Sequence, residues 1–251
     1  MTTQFRAAVL AGLAVLVVVM WGLSFASKRF EHVASGIAAL EPRRFDGLTF
    51  VAVGTGGTFE NHLRLGPCAA VGLGETIVAV DAGRGTAQAL RRAEIPVAQP
   101  VVLLTSLLPE STLGLDDWLW GATLAGAPSL RVLGPAGTRA LVEGLVAAHA
   151  TGARAQAASF GVAPEPKLDV VDVEDGFTAE IAPLEVRAFA QRGGPLPTLA
   201  WRIEGGGKSI TVSAAGFDPD ALVAAARDAS LWVHAAIHGA SLDQAVAAGL
   251  P

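Results

Sequence analysis

The 251-residue sequence contains no tyrosine, one cysteine and five histidines, and only 16% of its residues are charged. A lone Cys68 cannot close an internal disulfide, so a disulfide-stapled scaffold is excluded, although one thiol does not choose a compartment. There are 18 Lys+Arg against 23 Asp+Glu, a net charge of −5. With no basic tract and no basic-aromatic interleaving, that balance speaks against a nucleic-acid partner. No Gly-x-Ser-x-Gly elbow is present, which removes the usual setting of a serine nucleophile. "GTGG" (Gly54–Gly57) lacks the lysine of a phosphate loop and the full spacing of a dinucleotide fingerprint, so it reads as a tight turn.

What the sequence does have is apolar and small: Ala, Val, Leu and Gly dominate. Ala7 to Ala26, "AAVLAGLAVLVVVMWGLSFA", is free of charge. A helix of that length reaches about 30 Å, the thickness of a hydrocarbon core. The length favours a retained transmembrane anchor over residues 1–26. A cleaved signal ending at "SFA" and a buried soluble helix are the other readings. Arg6 on one side and Lys28 and Arg29 on the other leave orientation nearly tied. Residues 27–46 read as a juxtamembrane linker. Residues 47–251 are long enough for one domain with a substantial core.

Within that domain, Leu48–Val53 is a β-branched, apolar run and reads as a strand. Ala69–Val71 and Ile77–Val80 follow, joined by a short Gly-containing turn, which suggests a hairpin. The spacing then predicts a helix over Thr86–Ala93, a strand at Val101–Leu104 and a helix from Leu115 to Leu124. Leu130–Leu133 is the next strand and Thr138–Ala150 an amphipathic helix. Strands are expected at Asp169–Val173, Leu184–Ala190, Thr198–Ile203 and Ser209–Val212. Asp218–Arg227 and Ser241–Ala248 read as helices on either side of a strand at Leu231–Val233. Hairpins first and strand-helix alternation afterwards argue for a mixed α/β sandwich.

One junction stands out. "TSLLPESTLGL" (Thr105–Leu115) sits where a strand meets a helix, a common place for a site, yet it has no His, Asp or Cys. Its setting suggests why. "VAVGTGGTFENHLRLGPCAAVGLGETIVAVDAGRGT", "LRVLGPAGT", "WRIEGGGKSITVSAAG" and "ASLWVHAA" come in that order. Together they resemble the metallo-β-lactamase fold, in the branch of arylsulfatases and tRNA-maturing nucleases. The resemblance runs from about Leu48 to Ala235. It implies an αββα sandwich, here preceded by one transmembrane helix.

The resemblance also implies a zinc site in the sequence Thr-His-x-His-x-Asp-His, whose ions bind and acidify a water. At that position this chain places Ser106, Leu108, Glu110 and Ser111. Leucine cannot bind metal, and a neutral hydroxyl is a poor zinc ligand. Where a further histidine is expected the chain has Gln191 and Arg192, with Arg192 better placed by alternation. The aspartate of the family's Ser-Gly-Asp-Thr falls on Ala215. The chain stops at Pro251, before the strand that delivers the family's last histidine. That leads to the expectation of an open sheet edge for a partner.

Read this way, catalytic residues and cofactor are both expected to be absent, zinc included. Ser106, Leu108, Glu110, Ser111, Arg192 and Ala215 mark a vacated cleft. The functional expectation is a catalytically inactive, membrane-anchored subunit of a membrane-associated complex, partnered by the membrane and another protein and by no nucleic acid. Its location would be the inner membrane, single-pass, with a periplasmic domain. The alternatives are a hydrolase with a noncanonical site and a small-ligand sensor around Glu110, Arg192 and Ser213. A fresh metal site from His62, His234 and His238 is a minor variant. Trp118 and Trp120, two apart on a helix, face different ways, so one is expected in the core and the other at the surface.

Overall fold

The computed structural model describes residues 5, 12, 15–27, 43–57, 63–95, 101–124, 129–161, 165–192, 196–213 and 218–234. The chain divides into two compact units, Met1–Glu41 and Pro42–Pro251. In the first unit, residues 15–27 are helical and exposed. Among the described residues, no helix is long and apolar enough to cross a membrane. No described helix supplies the expected transmembrane anchor, and residues 7–11, 13 and 14 of that run lie outside the described residues.

The second unit is a two-sheet sandwich. Its first sheet has six strands in the order β1 (Phe45–Gly54), β2 (Cys68–Gly74), β3 (Thr76–Val80), β4 (Val101–Leu103), β5 (Leu130–Gly134) and β6 (Leu168–Asp172). β1 to β3 are antiparallel, and β3 to β6 are parallel. The second sheet has five strands in the order β11 (Leu231–His234), β10 (Lys208–Ser213), β9 (Thr198–Gly205), β8 (Leu184–Gln191) and β7 (Thr178–Ile181). Only β10 and β11 run parallel there.

Alternation sorts each strand between two cores. Ala69, Val71, Val78, Val80, Val101, Leu103 and Leu133 face Val186, Ala188, Leu199, Trp201, Ile203, Ile210 and Val212 across the sandwich. The next residues along the same strands, Cys68, Ala70, Ala79, Val102, Leu104 and Val132, pack outward on helices. These are α1 (Thr86–Arg92), α3 (Leu115–Leu124) and α4 (Thr138–Phe160); the one-turn α2 (Pro109–Thr112) precedes α3. Helix α5 (Pro219–Ala226) lies beside β8, β9 and β10 of the second sheet and buries Leu222, Ala225 and Ala226. The result is an αββα sandwich.

The glycine turns position the loops. A Cβ on Gly54 would strike the backbone of Gly66, and one on Gly83 would strike Gly66 and Pro67. "GTGG" and "DAGRG" therefore serve close backbone approach, as a tight-turn role requires. β7 and α2 lie where no element was expected, and α4 runs ten residues beyond the predicted Ala150. The expected Ser241–Ala248 helix lies outside the described residues.

Candidate functional site

The site region lies where β3, β4, β8, β10 and β11 end and β9 begins. The two sheets are tied there: Leu199 N–H donates to the Thr105 carbonyl at 2.7 Å, and the Trp201 indole N–H to the Leu104 carbonyl at 2.9 Å.

Asp81 organises the first-sheet half. It follows β3 in a left-handed conformation, φ 65°, uncommon for a non-glycine residue. Its carboxylate accepts the Thr105 backbone N–H at 2.8 Å and the Thr105 hydroxyl at 3.0 and 2.8 Å. Burial pushes Asp81 up to about 7, with Glu110 adding to the rise and donors from Thr105 and Ser111 opposing it. Burial also raises the Cys68 thiol, helped by Asp81, so the thiol stays protonated and inert. The loop is held further by Ala82 N–H to Ser111 O and Gly114 N–H to Ala82 O, both 2.8 Å.

Ser106 and Ser111 are buried, and the Ser106 hydroxyl donates to that of Ser111 at 3.3 Å. The Leu108 N–H reaches Ser106 Oγ at 3.3 Å, and Leu108 itself is half-buried as the residue capping α2. Glu110 is half-buried in the first turn of α2. Arg192 is exposed, with its backbone N–H on Asp218 at 3.3 Å. Ala215 lies outside the described residues. The structure thus gathers Ser106, Leu108, Glu110 and Ser111 on one loop. Gln191, not Arg192, is the buried one of that pair, 5% exposed with neither amide atom partnered. Trp118 is core, as expected of one of the pair; Trp120 is half-buried, edge-on to His149.

The second-sheet half holds a pair that sequence reasoning missed. Ser213 Oγ and His234 Nδ1 are 2.8 Å apart, and the Trp232 indole N–H donates to Ser213 Oγ at 3.0 Å. Trp232 also stacks on His234 at 5.2 Å. Burial lowers His234, which favours neutral imidazole. The register Ser213↔His234, between adjacent parallel strands, produces the pair. The 21-residue separation gave no local signal.

No protein-family model matches the chain. Ribonuclease Z of Mycobacterium bovis (strain BCG / Pasteur 1173P2) is 31% identical over 206 residues, covering 76% of this chain and 70% of that protein. The chain belongs to the ribonuclease Z family. Among solved structures, the human short-form tRNase Z aligns with a TM-score of 0.59 at 17% identity, covering 79% of this chain and 82% of that one. The metallo-β-lactamase fold protein YhfI of Bacillus subtilis gives 0.55 at 14%, covering 75% and 70%. Zinc-bound PqqB of Methylobacterium extorquens gives 0.50 at 15%, covering 80% and 77%. The fold is that of the metallo-β-lactamases.

These relatives correct several expectations. A catalytically inactive subunit of a membrane complex is overturned, because the family is one of ribonucleases. The exclusion of nucleic acid falls with it: net charge is an average over the chain and does not report the field at a cleft. The inner-membrane, periplasmic placement and the membrane and protein partners rested on the anchor, which no described helix supplies. The expectation of no cofactor is overturned by the zinc held in the same fold by PqqB.

The described side chains do not by themselves fit zinc. Among the described residues no three His, Cys, Asp or Glu side chains converge. Asp81 is taken up by Thr105 and Ser111, and His234 Nδ1 by Ser213. His62 and His238, the companions weighed for His234, lie outside the described residues.

Proposed function

We propose that this chain is a hydrolase of the ribonuclease Z family that cleaves RNA phosphodiester bonds at the end of the sandwich where the two sheets are tied. The observation that supports this most is the 31% identity to a ribonuclease Z over 206 residues. That span is most of the folded unit. The gathering of Asp81, Thr105, Ser106, Ser111, Gln191, Ser213 and His234 at one end of both sheets supports it further, since hydrolysis needs convergent polar groups. Asp81, buried, acts by holding Thr105 and the loop after β4.

In this reading Ser106, Leu108, Glu110, Ser111, Arg192 and Ala215 are the cleft positions that correspond to the family's ligand set. The partition into residues 1–26, 27–46 and 47–251 is part of the same proposal, supported by the unit boundary between Glu41 and Pro42.

The test is cleavage of a 3′-extended tRNA transcript by the purified full chain, in zinc, in manganese and in chelator. A single endonucleolytic cut is expected in at least one metal. Intact transcript in every buffer, beside an active ribonuclease Z control, refutes the reading.

A further inference from the structure

The outer face of the second sheet carries charges that neither the fold nor the ribonuclease reading uses. Glu185, Arg187 and Phe189 alternate along β8 with the core residues Val186 and Ala188, so they point away from the sandwich interior. Across the antiparallel pair, Glu185 stands opposite Glu204 and Arg187 opposite Arg202. Like charges directly opposite one another destabilise a sheet. The carboxylate row is therefore relieved by a cation placed on it. The guanidinium row, about 7 Å further along the strand, is relieved by an anion.

The chain meets only part of that need itself. Arg202 is fully engaged: it donates to Glu204 Oε1, to Ser209 Oγ at 3.0 Å and to the carbonyls of Ala225 and Arg227. Glu204 uses Oε1 for that bond, and Oε2 has no partner among the described residues. Among the described residues, the side chains of Glu185, Arg187, Arg227 and Asp228 make no ion pair and no hydrogen bond. The Arg187 guanidinium lies over the Phe189 ring, 5.0 Å from its centroid. Stacking holds the guanidinium plane and leaves its N–H edge open. In that form arginine takes a carboxylate through two parallel hydrogen bonds.

These side chains line a groove of about 350 Å³, bounded on its other side by Ala224 of α5 and by Arg227 and Asp228 just past its end. That volume is in the range of small-ligand sites. The lining carries three guanidinium groups, of Arg187, Arg202 and Arg227, and three carboxylates, of Glu185, Glu204 and Asp228. A bare anion such as phosphate meets the carboxylates, and a bare cation meets the guanidinium groups. A small molecule with one charge of each sign satisfies both rows at once.

We propose that this groove binds a free α-amino acid with an apolar side chain. Arg187 takes its carboxylate. Glu185 and Glu204 Oε2 take its ammonium, and the side chain rests against Phe189 and Ala224. Both charged ends are required, because a ligand that lacks either leaves one row uncompensated.

This inference does not rest on the ribonuclease reading, and its test needs no RNA. The full-length chain is titrated with L-leucine, with L-leucinamide, which lacks the carboxylate, and with 4-methylpentanoate, which lacks the ammonium. Binding is read by saturation-transfer NMR. L-Leucine is expected to bind saturably and at least ~10-fold more tightly than either analogue, the scale of one charge-assisted hydrogen bond. Arg187→Ala and Glu185→Gln should each weaken L-leucine binding by at least ~10-fold. Both positions are exposed, and circular dichroism verifies that the variants fold. No saturable binding of L-leucine to folded wild-type protein overturns the inference. So does equal affinity for the amide or the acid, or an affinity unchanged in either variant.

Discussion

Replacing Asp81 by asparagine should remove a pH dependence of stability that the wild-type chain shows. Burial lifts the Asp81 carboxyl from its ordinary 3.8 to about 7 in the folded protein. A raised carboxyl binds its proton more tightly when folded than when unfolded. Its contribution is therefore fully present below about pH 4 and is lost as pH rises through about 7. The gap between 3.8 and about 7, at ~1.4 kcal/mol per pH unit, is on the order of 4 kcal/mol. Native-state stability should fall by up to that amount between pH 4 and 8.

Asparagine keeps the geometry. Its carbonyl can accept the Thr105 N–H now 2.8 Å from Oδ1, and its amide can donate to Thr105 Oγ1 once that hydroxyl turns. It also tolerates the left-handed backbone at φ 65° better than most residues. Urea unfolding at pH 5 and pH 8, for wild type and Asp81→Asn, measures the difference directly. The wild-type midpoint should drop more steeply than that of the variant. Parallel curves would show that Asp81 does not titrate in this range, and the account of it as a buried, proton-holding loop anchor would be wrong.

Thr105→Val removes the hydroxyl from both Asp81 oxygens and should cost about 1–2 kcal/mol in the same assay. Trp201→Phe should cost about 2–3 kcal/mol, since Trp201 is fully buried and its indole N–H bonds the Leu104 carbonyl across the sheets. Thermal unfolding followed by circular dichroism would register it. Gly83→Ala should destabilise by more than 2 kcal/mol, because its Cβ meets the Gly66–Pro67 backbone and no flexible side chain can yield. Restoring the family pattern with Ser106→His, Leu108→His, Glu110→Asp and Ser111→His should raise zinc retained after washing, read by elemental mass spectrometry. Unchanged retention would show that this loop does not occupy the ligand position.

The fold was largely legible because the chain writes its layers as alternation. In β8, "LEVRAFAQ", Leu184, Val186 and Ala188 fall inward and Glu185 and Arg187 outward, and no other register buries the apolar set. β7, "TAEI", escaped notice because it is a short edge strand with exposed or half-buried residues. The long α4 was cut short because its second half, "GARAQAASF", is mostly exposed and shows little of an apolar stripe.

The site was legible only where chemistry is local. Ser106, Leu108, Glu110 and Ser111 come from one loop, so their grouping follows from sequence adjacency. Asp81 with Thr105 and Ser213 with His234 join residues 24 and 21 apart, and each pairing depends on which strands lie side by side. Leu103 and Val80 pair in register, so the residues just past them, Asp81 and Thr105, are brought within reach. Ser213 and His234 meet by the same parallel-strand logic in the other sheet. A sequence that places Asp or His one step beyond an apolar strand cannot announce its partner until strand order is known. Inferring an inert cleft from the replaced positions in "TSLLPES", at Gln191–Arg192 and at Ala215 therefore weighed the family's ligand positions and overlooked Asp81 with Thr105 and Ser213 with His234, which other strand ends bring together.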